Sequence, residues 1–552
     1  MAKEDKEDKK YDIVEVTETF GRFQIMQFIY CCLPALFVTM ININYVFTVG
    51  DVNYRCRIPE CDSNTTSIQR PVWWPDTAID RCSRPVLHQD WNNTMQCTNA
   101  SFSGSVEKCD SWVYESNDTV VAELDLACQP WTTNSVGTVH SAGMVISMTI
   151  FGWLSDKYGR KPTLVLCSVG GILGHLKTFV TSYYLYIVIE FLEAAITGGT
   201  YSAAMVIMIE SSGKNNRVLA GVIFAYAIYV GEAIFACIAI AVTYWKTLIR
   251  IICTPPIIFL SYTFLIRESP RWQIINNKFE EAKKTLLVIA ETNKLNIDKQ
   301  EFLNIDGAKL KNKFNLGSHE QKESMKTVFT SKEIWKRLLV MMICRFTASF
   351  VYYGMMINSV WLPGNKYTNF LLATVMSFPG ELIALVLMNK YGRRKPLLYG
   401  YLACGVLCIA SGYVPEGLEL FRKRLGKDNS VPVGEDDNIC LLHWCCDVHH
   451  GTVPDQRSRH TDGAVLLYVK IWRHAGPAYS YLDTNISGPA IPLVRASAVV
   501  SGISLILTPE TRNLPLMDTV EQVETSAKHA RDMKRTQGNT NAGFDDTVVS
   551  SL

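Results

Sequence analysis

Glu190, Glu193, Glu232, Arg345 and Glu381 each stand inside a stretch that is otherwise apolar. Hydrocarbon solvates charge poorly, so an ionisable group there is either paired or used to hold something. The six side chains that this singles out for substrate or coupling roles are Glu232, Tyr352, Tyr353, Glu190, Arg345 and Glu381. The two tyrosines could offer a ring face to an ammonium group. Adjacent residues of a helix point apart, so one of the two, not both, would meet a given ligand. The competing reading is internal salt pairing and ordinary helix packing.

The elements that must carry these residues are apolar runs of spanning length, about 20 residues each. The runs predict helix 1 over residues 23–49, helix 2 over 135–154, helix 3 over 163–180 and helix 4 over 183–209. Helices 5 and 6 follow over 218–242 and 247–266, closing a block of helices 2–6 within 135–272. Helices 7, 8 and 9 fall over 338–360, 367–388 and 397–414, within a second block, 337–415. Between the blocks, residues 273–336 are polar and Lys-rich, with one amphipathic stretch at 279–287. A last apolar run lies within 488–508, interrupted by Arg495, before a polar tail, 509–552.

Two basic hairpins organise the blocks. Gly152-Trp153-Leu154-Ser155-Asp156-Lys157-Tyr158-Gly159-Arg160-Lys161-Pro162 joins helices 2 and 3. Lys390-Tyr391-Gly392-Arg393-Arg394-Lys395-Pro396 joins helices 8 and 9. The repetition points to two repeated helical halves, as in many secondary transporters. Glycine permits the tight turn, and the cations predict a cytoplasmic position. The charged residues 1–22 predict a cytoplasmic start, with no cleavable signal peptide. Glu210, Arg217, Glu268, Arg271, Glu510 and Arg512 fall at the same ends of the helices, as candidate salt-bridge partners that hold one state closed.

Residues 50–134 then lie outside. This loop holds Cys56, Cys61, Cys82, Cys97, Cys109 and Cys128, with glycosylation sequons at Asn64, Asn92, Asn99 and Asn117. An even cysteine count beside clustered sequons indicates an exported, oxidised domain, and six cysteines leave 15 connectivities open.

Residues 416–487 break the pattern. They lack an 18-residue apolar run and contain Cys440, His443, Cys445, Cys446, His449, His450, His460 and His474. No standard zinc spacing is present, so no metal site is expected. A shifted reading frame accounts better for this segment. Residues 468–477, read one base later, permit Met-Ser-Lys-Tyr-Gly-Gly-Met-Leu-Ala-Pro, a membrane-like string. Helices 10 and 11 would then be missing from this chain or frameshifted.

The 552 residues are 48% hydrophobic and carry a formal net charge of +2, which gives no support to nucleic-acid binding. No glycine-rich loop with Lys-Ser or Lys-Thr offers a nucleotide site, and no catalytic constellation or cofactor motif is present. An enzyme is not expected. Oligomeric state is left open.

The hairpins resemble the signature loops of the major facilitator superfamily. Phe20-Gly21-Arg22-Phe23-Gln24, the cysteine-rich loop, Glu268-Ser269-Pro270-Arg271-Trp272, Tyr352-Tyr353-Gly354, residues 362–370 and Pro509-Glu510-Thr511-Arg512 resemble its organic cation/anion/carnitine transporter family. The resemblance covers 11–415 and 488–526. It implies an all-α membrane protein with a major facilitator fold of two six-helix halves. It also implies a multi-pass plasma-membrane carrier that moves small organic cations or carnitine by alternating access. Organic anions are the runner-up, and a non-transporting isoform a further alternative. The long first loop argues against a sugar porter. Helix 5 lines the cavity in this family, which puts Glu232 first among the candidates. Asp156 matches the family carboxylate that caps a helix of the opposite half. With Asp156, the residues Gly152, Gly159, Arg160, Lys161, Gly392, Arg393 and Arg394 make up the expected conformational switch. The chain departs from the pattern at Asn389, where the first hairpin has Asp156. It departs again at Glu190 and Arg345, where the family usually shows Arg and often Trp.

Overall fold

A computed structural model describes residues 13–50, 52–62, 81–88, 97–213, 216–297, 304–314, 331–361, 366–392, 394–411 and 499–507, with a few single residues between them. The expectations for residues 416–487, Asn64, Asn92, Arg393, Glu510 and Arg512 lie outside the described residues.

Among the described residues there are nine long helical segments. They are α1 (Arg22–Thr48), α2 (Pro130–Tyr158), α3 (Arg160–Val169, continued as a 3-10 stretch Gly170–Phe179), α4 (Tyr183–Ser211, irregular at Gly198) and α5 (Arg217–Ala241). Then come α6 (Trp245–Leu265), α7 (Lys332–Trp361), α8 (Lys366–Tyr391) and α9 (Arg394–Ser411). Six of them (α1, α2, α4, α5, α6 and α8) are long and apolar enough to cross a membrane. Ile25, Ile29, Leu185, Val188 and Phe264 turn outward, as a lipid-facing surface requires.

Departures from the predicted spans have local causes. Helix 2 begins earlier, because Pro130 suits the first turn of a helix, and it ends at Gly159. Gly159 has φ +121°, and Gly392 in the second hairpin has φ +86°, a region that glycine enters without strain. Helix 3 tightens to 3-10 geometry where Gly174 meets α6; a Cβ there would stand 2.5 Å from Cys253 Sγ. Helix 6 changes to 3-10 at Pro255-Pro256, where proline removes two N–H donors.

α1 packs against α5, α2 against α4, and α5 against α8 across the two halves. One apolar core joins Phe47, Tyr186, Phe235, Trp245, Tyr352 and Phe370; a second joins Phe28, Ala35, Leu164, Ile207, Phe224 and Phe259. In the second half Val340, Cys344, Met388, Tyr401 and Leu505 pack together.

The two ends of the bundle differ. One end carries a small domain. In it β1 (Tyr54–Cys56) pairs antiparallel with β4 (Trp112–Tyr114), and β2 (Ser83–Leu87) with β3 (Phe102–Lys108). Its disulfides are Cys56–Cys109, Cys61–Cys97 and Cys82–Cys128, one of the connectivities that spacing left open. Arg55 and Asp62 form a buried two-pronged pair, at 2.7 and 3.0 Å, beneath it. Asn99 and Asn117 are exposed. The domain is tied to α6 by Trp245 Nε1, which donates to Glu123 Oε2 at 2.8 Å, and by the Lys246–Glu123 ion pair.

The other end carries the hairpins and a helix, Phe279–Thr292, longer than predicted because Ile289 and Ala290 extend its buried face. Just past it, Asn293 Oδ1 accepts the backbone N–H of Phe23 at 2.9 Å, and Asn293 Nδ2 donates to Gln24 Oε1 at 2.9 Å. Gln24 Oε1 also accepts the Gly21 N–H at 3.0 Å. Open donors of the first turn of α1 are satisfied in this way.

Candidate functional site

The seam between the halves is polar where α5, α7 and α8 meet. On α5, Tyr226, Tyr229 and Glu232 recur every three residues and so share a face. Tyr352 of α7 donates its hydroxyl to Glu232 Oε1 at 2.8 Å. Tyr229 donates to Glu381 Oε1 of α8 at 3.3 Å, and Tyr226 to the Phe378 carbonyl at 2.8 Å, beside the helix proline Pro379. The Tyr226 and Phe378 rings stack at 5.3 Å. Glu232 and Glu381 are buried. Two carboxylates and three phenols thus meet along one seam, an acidic surface rich in acceptors and ring faces.

The seam brings together Glu232, Tyr352 and Glu381. Arg345 is half-buried two turns before Tyr352 on the same side of α7. Tyr353 lies in α7, and its side chain is outside the described residues. Glu190 is elsewhere: it pairs with His140 of α2 and Lys177 of α3, within the first half. Sequence reasoning missed Tyr226, Tyr229, Lys177 and His140. The first two could have been found by stepping three residues back from Glu232.

At the disulfide end aromatic rings meet across the seam. The Phe47 ring of α1 stacks on Tyr367 at 5.4 Å and meets Phe370 edge-on at 5.1 Å, both on α8.

At the hairpin end, Arg160 is buried and its guanidinium lies 3.4 Å from Glu210 and 3.0 Å from Asp156. It also donates to the Ser155 carbonyl at 3.1 Å. The Asp156 carboxylate is 74% exposed, so it sits on the surface of its own half. Its backbone carbonyl accepts from Trp272 Nε1 at 2.9 Å. Glu268 accepts the N–H groups of Lys161 and Ser269, each at 3.0 Å, and lies against Gly159. Burial pushes the Glu268 carboxyl above the usual range, while these N–H groups and Arg160 pull it down. Nothing crowds the Cβ position of Gly152. Arg217 and Arg271 are half-buried. Arg394 donates to the Ile506 carbonyl at 2.6 Å. Among the described residues no group of three or more His, Cys, Asp and Glu could hold a metal ion.

Residues 92–419 match the family described as sugar (and other) transporters. The chain is similar to the organic cation transporter protein of Drosophila melanogaster, 25% identical over 535 residues, with 94% of this chain and 95% of that one covered. It is 24% identical to solute carrier family 22 member 3 of Rattus norvegicus, over 92% of this chain and 94% of the relative. It is 25% identical to the human steroid transmembrane transporter SLC22A24, over 93% and 96%. Among solved structures, the partially occluded, inward-open xylose transporter XylE of E. coli superposes with a TM-score of 0.58 at 12% identity. That match covers 90% of this chain and all of the other, and it shows the major facilitator fold. With the matched family spanning more than half its length, the chain belongs to the sugar (and other) transporters of the major facilitator superfamily and is a multi-pass transmembrane transporter.

Proposed function

We propose that the chain carries small organic cations, or a zwitterion of the carnitine type, by alternating access across the plasma membrane. The observation that carries this reading is the pair of buried carboxylates, Glu232 and Glu381, each hydrogen-bonded to a tyrosine across the seam between the halves. A desolvated carboxylate attracts an ammonium group strongly, and the phenols beside it add ring faces. The name of the fly relative, an organic cation transporter protein, supports that class. In this reading the disulfide end faces the oxidising exterior, where Asn99 and Asn117 carry glycans, and the hairpin end faces the cytoplasm.

Organic anions are the second reading, favoured by Arg345 on the Tyr352 side of α7. Uptake of labelled tetraethylammonium, carnitine and p-aminohippurate into cells expressing the full chain separates the two. Surface biotinylation of the same cells is required. Protein at the surface with uptake of none of the three would point to a non-transporting chain.

A further inference from the structure

Away from the seam, charged and titratable side chains from five helices meet inside the first half. His140 Nδ1 of α2 is 2.7 Å from Glu190 Oε1. Lys177 Nζ, from the 3-10 stretch of α3, donates to Glu190 Oε2 at 2.8 Å and also to Glu193 Oε2. The Lys177, Glu190 and Glu193 side chains are fully buried, and that of His140 is 5% exposed. Cys253 of α6 points its thiol at Glu193 Oε1, 3.8 Å away. Tyr186, one turn before Glu190 on α4, is buried beside them. From α1, the Tyr45 ring lies 4.9 Å from the His140 ring. These are the charged and titratable groups that face the cluster from α1, α2, α3, α4 and α6 among the described residues.

The charges do not cancel. One ammonium faces two carboxylates, so with a neutral imidazole the cluster holds a net negative charge inside an apolar bundle. Such a charge is costly to keep, and a single added proton removes it. Glu193, between Lys177 Nζ and the Cys253 thiol, is in place to take it. We infer that the His140–Lys177–Glu190–Glu193 cluster is a binding site for one proton, and that its occupancy governs the closure at Phe47. The link is α1: Tyr45 rests on His140, and Phe47, two residues on, makes the seal with Tyr367 and Phe370. Loss of the proton leaves a bare charge that draws water to the Tyr45 side and loosens that seal. The proton site stands on the cluster alone; its effect on transport rests on the carrier reading above.

The test is proton release from the purified full-length protein in detergent, followed with a pH-indicating dye and by infrared difference spectroscopy across about pH 5 to 8. The wild type, whose ten histidines also titrate in this window, should release one proton per chain more than E193Q, with a matching carboxyl or imidazolium difference signal. E193Q removes one negative charge, leaves the cluster neutral without a proton, and should lose that release. K177M/E193Q restores the net negative charge and should regain it. A wild type that shows no such signal, or an E193Q chain that releases as many protons, overturns the inference. The wild-type spectrum needs no variant to fold. Tetraethylammonium uptake should then vary with pH in the wild type and be flat in E193Q. Flat wild-type uptake overturns the coupling. An intact proton signal with no uptake at any pH overturns the substrate reading instead and leaves the proton site standing.

Discussion

The phenol of Tyr352 and the carboxylate of Glu232 join the two halves of the protein through one buried hydrogen bond of 2.8 Å. A hydrogen bond to a charged group contributes about 1.5–3 kcal/mol, or roughly ten- to a hundredfold in an equilibrium. E232Q keeps the shape and removes the charge. We expect it to raise the half-saturating tetraethylammonium concentration by about tenfold or more, through lost charge attraction alone, since a quaternary ammonium has no N–H to donate. A cation that binds E232Q as tightly as wild type is not held by this carboxylate.

Tyr229 and Glu381 make the longer contact, 3.3 Å, between α5 and α8. Y229F should cost less than E381Q in uptake, because the phenol is one donor beside a charge that persists. The ratio of the two losses, measured at matched surface density, checks which member meets substrate. Equal losses would mean that the pair acts only as a strut.

At the hairpin end the partners of Arg160 differ in burial. Asp156 is 74% exposed and Glu210 only 5%. D156N should therefore change thermal stability by no more than about 1 kcal/mol. E210A removes the buried partner of the guanidinium, leaving it the exposed Asp156 and the Ser155 carbonyl, and should cost more, about 1–3 kcal/mol. Thermal unfolding of the two purified variants ranks them, and the reverse order would show that Asp156 has a partner in another conformation.

Glu268 adds a pH dependence to the same end. Burial holds its carboxyl above the usual range in the folded protein. A raised carboxyl contributes stability that is fully present below the unfolded value, about pH 4.3, and is lost as pH rises through the folded one. Mild acid should therefore protect the hairpin, and E268Q should flatten that response. Hydrogen exchange at Lys161 and Ser269, whose N–H groups it accepts, reads the effect site by site.

Each disulfide of the small domain closes a loop of dozens of residues, 53, 36 and 46 in chain order. Losing a native bridge from such a domain typically costs about 2–5 kcal/mol. C82S/C128S should reduce surface delivery sharply, measured by biotinylation, while the wild type treated with glycosidase should shift on a gel.

Much of the frame was legible because a membrane imposes strict rules. A run of about 20 apolar residues is one helix, and a Lys-Tyr-Gly-Arg turn between two runs is one hairpin. Glu232 and Glu381 stood out for the same reason: an acid in such a run has few innocent explanations. Tyr226 and Tyr229 did not, since a tyrosine suits lipid interface, core and ligand equally. The partners of Glu190 were hidden for another reason. Lys177 and His140 come from separate helices, and no local spacing announces a contact that only packing creates. The cysteine pairing had the same character. The close approach of Gly174 to Glu193 and Cys253, within the 3-10 stretch Gly170–Phe179, is again a fact of packing.

The clasp of Asn293 on the start of α1 sets a timetable for biosynthesis. Phe23 leaves the ribosome 270 residues before the side chain that caps its helix. At about 5–20 residues per second, α1 waits roughly 13–54 seconds with open donors at its first turn. The clasp can close only after α6 has been made. Its closure therefore cannot precede completion of the first half, and its earliest moment comes before any of the second half is inserted.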